Sequence, residues 1–395
     1  MAKVYSKALD KNISVERIIG QINGKLRGPT IVFLAGIHGN EPAAVFALHQ
    51  VFRALRFDEI YGNVYGIAGN LWALERGTRY QKEDLNRIWD DEHIQQLERA
   101  NELDAERKEQ KEVYEILRGI LQKENGPFYF LDLHTTSSET VPFMTVNDNL
   151  LNRKFSSQYP VPMILGIEEY LEGPLLSFVN ELGYVAFGFE GGQHDSLTSI
   201  DNHIAFIHLT LIYAGCLNGG SILLGKHFSQ LAESSHDVQN VYEIYYRYKI
   251  NDGENFTMLP GFVNFQQVKK GSTLAKNNNH FVYATHDGNI FMPLYQGQGD
   301  DGFFAIRTIP SYFLKLSVVL RKVRLDQFLR LLPGISRPKG KKNALLVNKK
   351  IARFFAKDFF HLLGYRSQKV NGHHLLMKNR ERFSRTKDYS NANWY

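Results

Sequence analysis

The sequence predicts an α/β fold built on a mostly parallel sheet, and three observations carry that prediction. Short apolar runs of β-forming residues recur at Thr30–Ala35 (TIVFLA), Phe128–Leu133 (FYFLDL) and Tyr184–Phe189 (YVAFGF). Amphipathic helical patterns lie between them, and strands alternating with helices argue for parallel pairing. Each run also ends in polar residues, as strands do where an open α/β sheet forms its sites.

Taken in order, the first run is followed by glycines and then by Val45, Leu48, Phe52 and Leu55, spaced by three or four as on one helix face. The charged stretch from Glu92 to Glu124 has apolar returns at Val113, Ile116, Leu117, Ile120 and Leu121, which predicts an amphipathic helix. This α/β region is expected to occupy residues 1–222. Val241–Ile250 (VYEIYYRYKI) opens an aromatic, alternating texture, so residues 223–310 are expected to form a smaller β-rich domain. Lys270–Lys276 (KGSTLAK) and His286–Ile290 (HDGNI) read there as hairpin or turn pieces. Residues 311–395 form a basic, partly helical extension. Its amphipathic stretches are Phe313–Leu332 and Ile351–Leu363, with a linker expected at Pro333–Lys342. Phe354, Phe355, Phe359 and Phe360 cluster there with His361 and Tyr365.

A chain of 395 residues is too long for one ordinary core, which fits this division. No apolar run reaches the roughly 18 residues that a membrane span needs. The opening MAKVYSKALDKN lacks the apolar stretch of a signal peptide. The single cysteine, Cys216, excludes an intrachain disulfide framework and a cysteine-built zinc knuckle, and a cytoplasmic location is expected. Charge is divided unevenly. Residues 311–395 hold 20 of the 47 Lys and Arg but 4 of the 41 Asp and Glu, a net of +16, leaving −10 for the rest. The extension either packs on the acidic body, forms a contact between subunits of a homo-oligomer, or meets an anionic partner such as nucleic acid or a membrane surface.

The strand ends carry the chemistry. Gly36–Glu41 (GIHGNE) places His38 and Glu41 with two residues between them in a turn, from which both can reach one ion. Zinc in hydrolases commonly takes three protein ligands and leaves one position open. His134 follows the second run and is placed to be the third ligand, and Glu190 follows the third run in the same way. Any one of these residues reads as well as a solvated histidine, a helix cap or a plain turn. Their convergence is what points to a metal.

GIHGNE, Asp84–Arg87 (DLNR), Asp132–Ser137 (DLHTTS) and Glu190-Gly191-Gly192 together resemble the succinylglutamate desuccinylase/aspartoacylase family, in order and spacing, over about residues 28–200. The β-rich region resembles that family's as well, and the basic extension lies outside the resemblance. The resemblance implies a carboxypeptidase-like mixed sheet flanked by helices and a zinc-dependent hydrolase that cleaves the amide of a small N-acyl amino acid. His38, Glu41 and His134 match the zinc ligands, Glu190 the catalytic glutamate, and Arg79, Asn86 and Arg87 the substrate-binding positions. Asp84 and Asp132 are then residues that orient neighbouring ligands. In chemical terms Glu190 suits a proton shuttle, Arg79 an oxyanion stabiliser, and the planar fork of Arg87 a substrate carboxylate.

Two positions depart from the family. Leu175–Tyr184 contains no arginine where aspartoacylases carry a second carboxylate anchor, and the tyrosine they place near the substrate has only Tyr295 as a candidate. His194 either faces the pocket or caps the next helix, the second being the expectation. Two other functions stay open: a zinc carboxypeptidase acting on peptides, and a non-catalytic binding protein working through its basic extension. The compact loops and the β-rich region favour a small substrate over a peptide groove. The intact His38, Glu41, His134 and Glu190 set speaks against a dead hydrolase.

Overall fold

Three apolar runs become the centre of one large sheet in the computed structural model, which describes residues 1–99, 102–338, 344–348, 357–371 and 374–395. A hairpin of β1 (Ala2–Ser6) and β2 (Lys11–Val15) comes first, then β3 (Ile18–Asn23) and β4 (Leu26–Ala35). Next are α1 (Ala43–Ala54), β5 (Tyr61–Ala68), α2 (Leu71–Arg76), α3 (Asp91–Arg99), α4 (Ala105–Lys123) and β6 (Phe128–Thr136). The α/β region continues through β7 (Phe143–Val146), α5 (Leu150–Ser156), β8 (Met163–Leu165), α6 (Leu175–Glu181), β9 (Val185–Gln193), α7 (Leu197–Tyr213) and α8 (Gly220–Ser234). The single helix expected over 92–124 is therefore two helices.

The sheet packs helices on both faces. Along β4, β6 and β9 successive side chains alternate between two cores, since strand residues point to opposite faces. Ile31, Phe33, Leu131 and Phe187 join α1 and α7 on one side. Val32, Leu34, Phe130 and Ala186 meet α4 and α6 on the other. Strands covered on both faces read as unbroken apolar runs, which is why these three were legible.

The β-rich region contains β10 (Val241–Lys249), β11 (Phe256–Met258), β12 (Gln267–Val268), β13 (Thr273–Asn277), β14 (His280–Tyr283), β15 (Gly288–Phe291) and β16 (Asp301–Thr308). β13 and β14 form the expected hairpin, with Asn277 opposite His280. Four of these strands extend the large sheet, whose order is β12-β15-β16-β10-β8-β7-β9-β6-β4-β5-β3. Phe143 and Ile164 share a core with Tyr242, Ile244, Phe291, Phe304 and Ile306, across the change of texture near residue 222. The sheet is mixed, not mostly parallel. Five of its pairings are parallel (β4 with β5, β4 with β6, β6 with β9, β7 with β8, β8 with β10). The other five are antiparallel. An apolar run reports burial of both faces but not the direction of the chain.

The extension contains α9 (Ser311–Lys322), β17 (Ile335–Ser336), β18 (Ala344–Asn348), α10 (Lys357–Leu362), β19 (Tyr365–Asn371) and β20 (His374–Asn379). The last four strands, β17 to β20, make an antiparallel sheet in the order β17-β18-β20-β19, where the sequence predicted a partly helical extension. Residues 351–356 of the expected second helix, Phe354 and Phe355 included, lie outside the described residues, as do residues 339–342 of the expected linker. The extension grips the acidic body. Arg321 lies 2.8 Å from Asp148, and Arg380 lies 3.0 Å from Asp148, 2.9 Å from Glu168 and 2.6 Å from Glu169. Tyr389 is fully buried, where its hydroxyl accepts from the Val185 amide at 2.9 Å and donates to the Phe128 carbonyl. Among the described residues no helix is long and apolar enough to cross a membrane.

Candidate metal centre and active site

The sheet delivers three strand ends at one level. In register, Ala35 of β4 pairs with Leu133 of β6, and His134 of β6 pairs with Glu190 of β9. After β4 the chain must reverse tightly. Gly36 takes φ +65°, and Gly39 lies so close to α2 that an added Cβ would stand 2.0 Å from the Ala73 carbonyl carbon. Only glycine meets both demands. The turn they allow carries His38 and Glu41 back over the end of β4, toward His134.

His38, Glu41 and His134 are buried, and one donor atom from each lies within 4.8 Å of the others. His38 Nδ1 is 2.8 Å from Glu41 Oε1, and His134 Nδ1 is 3.1 Å from Glu41 Oε2. The outer ring nitrogens are held by other carboxylates. His38 Nε2 is 3.0 Å from Asp84 Oδ1, and His134 Nε2 is 2.8 Å from Asp132 Oδ2. The Thr135 amide donates to Glu41 Oε2 at 3.0 Å. A carboxylate behind each imidazole holds a proton on the outer nitrogen, leaving the inner lone pair for a ligand. Among the described residues these three form the one such group of histidine and carboxylate donors.

The electrostatics follow from burial and from these partners. Burial alone would raise the Glu41 carboxyl, but His38 and His134 hold it well below the usual carboxylate range. Burial opposes charge on His134, yet Asp132 and Glu41 lift it well above the ordinary imidazole value. Desolvation would raise Asp84 too, but Arg79 and His38 hold it well below its usual range. Glu190 differs. Burial pushes its carboxyl up to about 8; His134 opposes this, and the carboxylates of Glu41 and Asp132 add to it. Its Oε2 is buried without a hydrogen-bond partner among the described residues.

A cavity of about 500 Å³ opens over the cluster and is lined by Arg79, Asn86, Arg87, Glu190 and His194 among others. Arg79 Nη2 donates to Asp84 Oδ2 at 2.9 Å, and Nη1 lies 3.5 Å from Glu41 Oε1. Asn86 accepts from the Leu175 amide through Oδ1 at 2.9 Å, which turns its amide nitrogen away from that contact. Arg87 donates from Nη2 to Asp301 Oδ2 at 3.2 Å, and Arg247 holds the other oxygen of Asp301. Where the sequence lacks the second arginine, Leu171, Pro174 and Leu176 give the wall an apolar patch.

Two expectations are corrected. His194 does not cap α7: Ser196 stands at that cap, while His194 Nδ1 is 2.7 Å from the Thr135 hydroxyl and Nε2 is 3.1 Å from Gln296 Oε1, on the cavity wall. Burial lowers its pKa, so it is neutral near pH 7. Tyr295 is engaged elsewhere, donating to the Leu259 carbonyl at 2.7 Å and accepting from the Phe262 amide at 3.0 Å. Its neighbour Gln296 is the residue on the cavity wall, and it also accepts from Asn40 at 2.7 Å. Sequence reasoning passed over Gln296 and Asp301. Gln296 lies in the loop between β15 and β16 and Asp301 where that loop ends, and nothing local in PLYQGQGDDGFF marks which of its side chains face the cavity.

Residues 27–199 match the family described as succinylglutamate desuccinylase/aspartoacylase catalytic domain. The succinylglutamate desuccinylases of Ectopseudomonas mendocina and Pseudomonas paraeruginosa are 33% and 34% identical to this chain over 70 and 74 residues. These stretches cover 17% and 18% of this chain and only 21% and 22% of those relatives. Among solved structures, a succinylglutamate desuccinylase/aspartoacylase from Rhodobacter sphaeroides and the product-bound ectoine utilization protein EutE from Ruegeria pomeroyi each superpose with a TM-score of 0.54. Each is 18% identical and covers 73% of this chain and 87% of its own, a likeness of fold.

Proposed function

From the match of residues 27–199 to the succinylglutamate desuccinylase/aspartoacylase catalytic domain, we propose that this protein is a zinc-dependent amidohydrolase that releases a carboxylic acid and an amine from an N-acyl amino acid. The observation that carries the reading is the buried convergence of His38, Glu41 and His134, with Asp84 and Asp132 behind the two imidazoles. Two imidazole nitrogens and one ionised carboxylate are the donor set that hydrolytic zinc sites use. The unpartnered Glu190 Oε2 beside them suits a group that works on a ligand and not on the fold.

Zinc held there supplies a water nucleophile near neutral pH and polarises the amide carbonyl. The remaining tasks fall to this chain's own side chains. Glu190 takes the proton of the attacking water and passes it to the leaving nitrogen. Burial pushes its carboxyl up to about 8, and positive charge held in the cluster would lower it toward the ionised form that a base needs. Arg79, fixed by Asp84, donates to the oxygen that gains charge. Arg87 and the amide nitrogen of Asn86 bind a substrate carboxylate, Arg87 exchanging Asp301 for it. The apolar patch of Leu171, Pro174 and Leu176 offers no second anchor, so a substrate with one carboxylate suits the cavity better than a dicarboxylic amino acid. A cavity of about 500 Å³ favours a small substrate over a peptide. A cytoplasmic location belongs to the same proposal, resting on the lone buried Cys216.

The test is a hydrolysis screen of zinc-loaded protein against N-acetyl and N-succinyl amino acids, with a panel of short peptides beside them. Release of free amino acid from an N-acyl substrate, lost with a chelator and restored by zinc, is expected. Turnover of the peptides alone would move the assignment to a carboxypeptidase.

A further inference from the structure

Helix α9 packs a mixed face on its neighbours, with Leu314 and Leu320 partly buried against two cores, and turns an apolar stripe to solvent. The side chains it buries are Ser317 and Arg321. Ser317 donates to the Leu362 carbonyl at 3.0 Å, and Arg321 pairs with Asp148 at 2.8 Å and Glu381 at 2.9 Å. The opposite face carries Tyr312, Leu316, Val319 and, at the C-cap, Val323, with steps of four, three and four that form one stripe. These side chains are 61%, 43%, 57% and 63% exposed. Phe328 and Leu331, in the 3₁₀ turns of Leu325–Leu331 that follow, are exposed as well. A contiguous apolar surface of this kind marks an interaction site.

The charges around the stripe say what covers it. Lys315 and Lys322 lie along one flank, roughly 80° round the helix from its centre, and Arg324 follows the last turn. All three are exposed, and none has an ion pair among the described residues. No Asp or Glu occurs between Ile309 and Asp326. We propose that α9 docks this protein onto a bilayer surface bearing anionic lipid headgroups. The apolar stripe enters the boundary of the acyl chains while Lys315, Lys322 and Arg324 meet lipid phosphates, the division of labour of an interfacial amphipathic helix. A second copy of the chain fits less well. Pairing α9 with itself about a two-fold axis brings the same cations together with no carboxylate on either face. The ion pairs of Arg321 on the buried side keep the helix on the body with its stripe outward, so no unfolding is needed to present it.

Co-sedimentation of the full-length protein with phosphatidylcholine vesicles, alone or mixed with phosphatidylglycerol, tests this. Binding to the mixed vesicles is expected, weakening as salt is added. Val319→Glu with Val323→Glu should abolish it. Lys315→Ala with Lys322→Ala should lower it by about thirtyfold, at about 1 kcal/mol per cation near such a surface. All four side chains are exposed, so thermal melting should match wild type and serves as the check on folding. Equal binding to both kinds of vesicle, or undiminished binding by the glutamate pair, overturns the proposal. So does a concentration-dependent dimer that the glutamate pair dissolves while wild type ignores vesicles, since the occupant is then a second copy.

Discussion

Glu41 is the residue on which the centre turns, because both imidazoles point their inner nitrogens at it and both oxygens are engaged. With metal ligands this close, loss of one should empty the site. Purified wild type is expected to hold about one equivalent of zinc, and His38→Ala to lose most of it by elemental analysis; full occupancy in that variant rejects the ligand set. Glu190→Gln should keep the metal but lose about 10² to 10⁴ in turnover, the usual worth of a positioned proton shuttle. The pH profile gives a second readout. A general base must be deprotonated, so kcat/KM should rise with pH as Glu190 ionises, at a midpoint below the value of about 8 that burial and its carboxylate neighbours impose before a metal binds. Persistence of that rising limb in Glu190→Gln would assign it to another group. At Arg87 the contact with Asp301 shows that the guanidinium already suits a carboxylate. Arg87→Lys should raise KM, since an ammonium cannot make two parallel bonds. Amidating the substrate carboxylate should then cost wild type far more than the variant, because both changes remove one interaction. Additive losses would make the Asp301 pair the whole role of Arg87.

At the scale of elements, the extension is held by a few buried charges, and these can be titrated. Burial would raise the Asp148 carboxyl, but Arg153, Arg321 and Arg380 hold it well below its usual range. A carboxyl depressed in the folded state stabilises that state above its unfolded pKa, about 3.9, and the contribution fades as pH falls through that value toward the folded one. The melting temperature of wild type should therefore drop from pH 6 to pH 3 more steeply than that of Asp148→Asn. Parallel curves would mean that the cluster contributes nothing to docking. Arg380→Ala, which removes the arginine from Glu168 and takes one partner each from Asp148 and Glu169, should cost about 3–5 kcal/mol in denaturant unfolding, the scale for breaking a buried pair from one side. These elements also mark how far the sequence could be read. β4, β6 and β9 were legible because both faces are covered, and His38, Glu41, His134 and Glu190 because they sit at the ends of such strands. The extension's sheet was not. Its members are short, from Ile335–Ser336 to Tyr365–Asn371, and paired across long separations, as with Ala344 and Lys378. His194 was misread for a related reason: its partners Thr135 and Gln296 lie 59 and 102 residues away.

Over the whole molecule, the uneven charge of the sequence finds its use. The extension's net of +16 meets a body of net −10, and Arg321, Arg380 and Lys378 are paired with carboxylates of the body. Lys315, Lys322 and Arg324 on and just after α9 are exposed, where an outside partner can reach them. The large sheet has a further consequence. β8 pairs with β10, and β10 with β16, so the strand bearing Glu190 and the segment bearing Gln296 hang from a single hydrogen-bonded blade. A protein built this way cannot open like a jaw, because no seam separates the floor of the cavity from its roof. The short span between Phe291 and Asp301 borders the cavity, with Gln296 tying it to Asn40 and His194. On the proposed hydrolysis, exchange of substrate and product would then fall to loops such as this one and not to a hinge within the sheet.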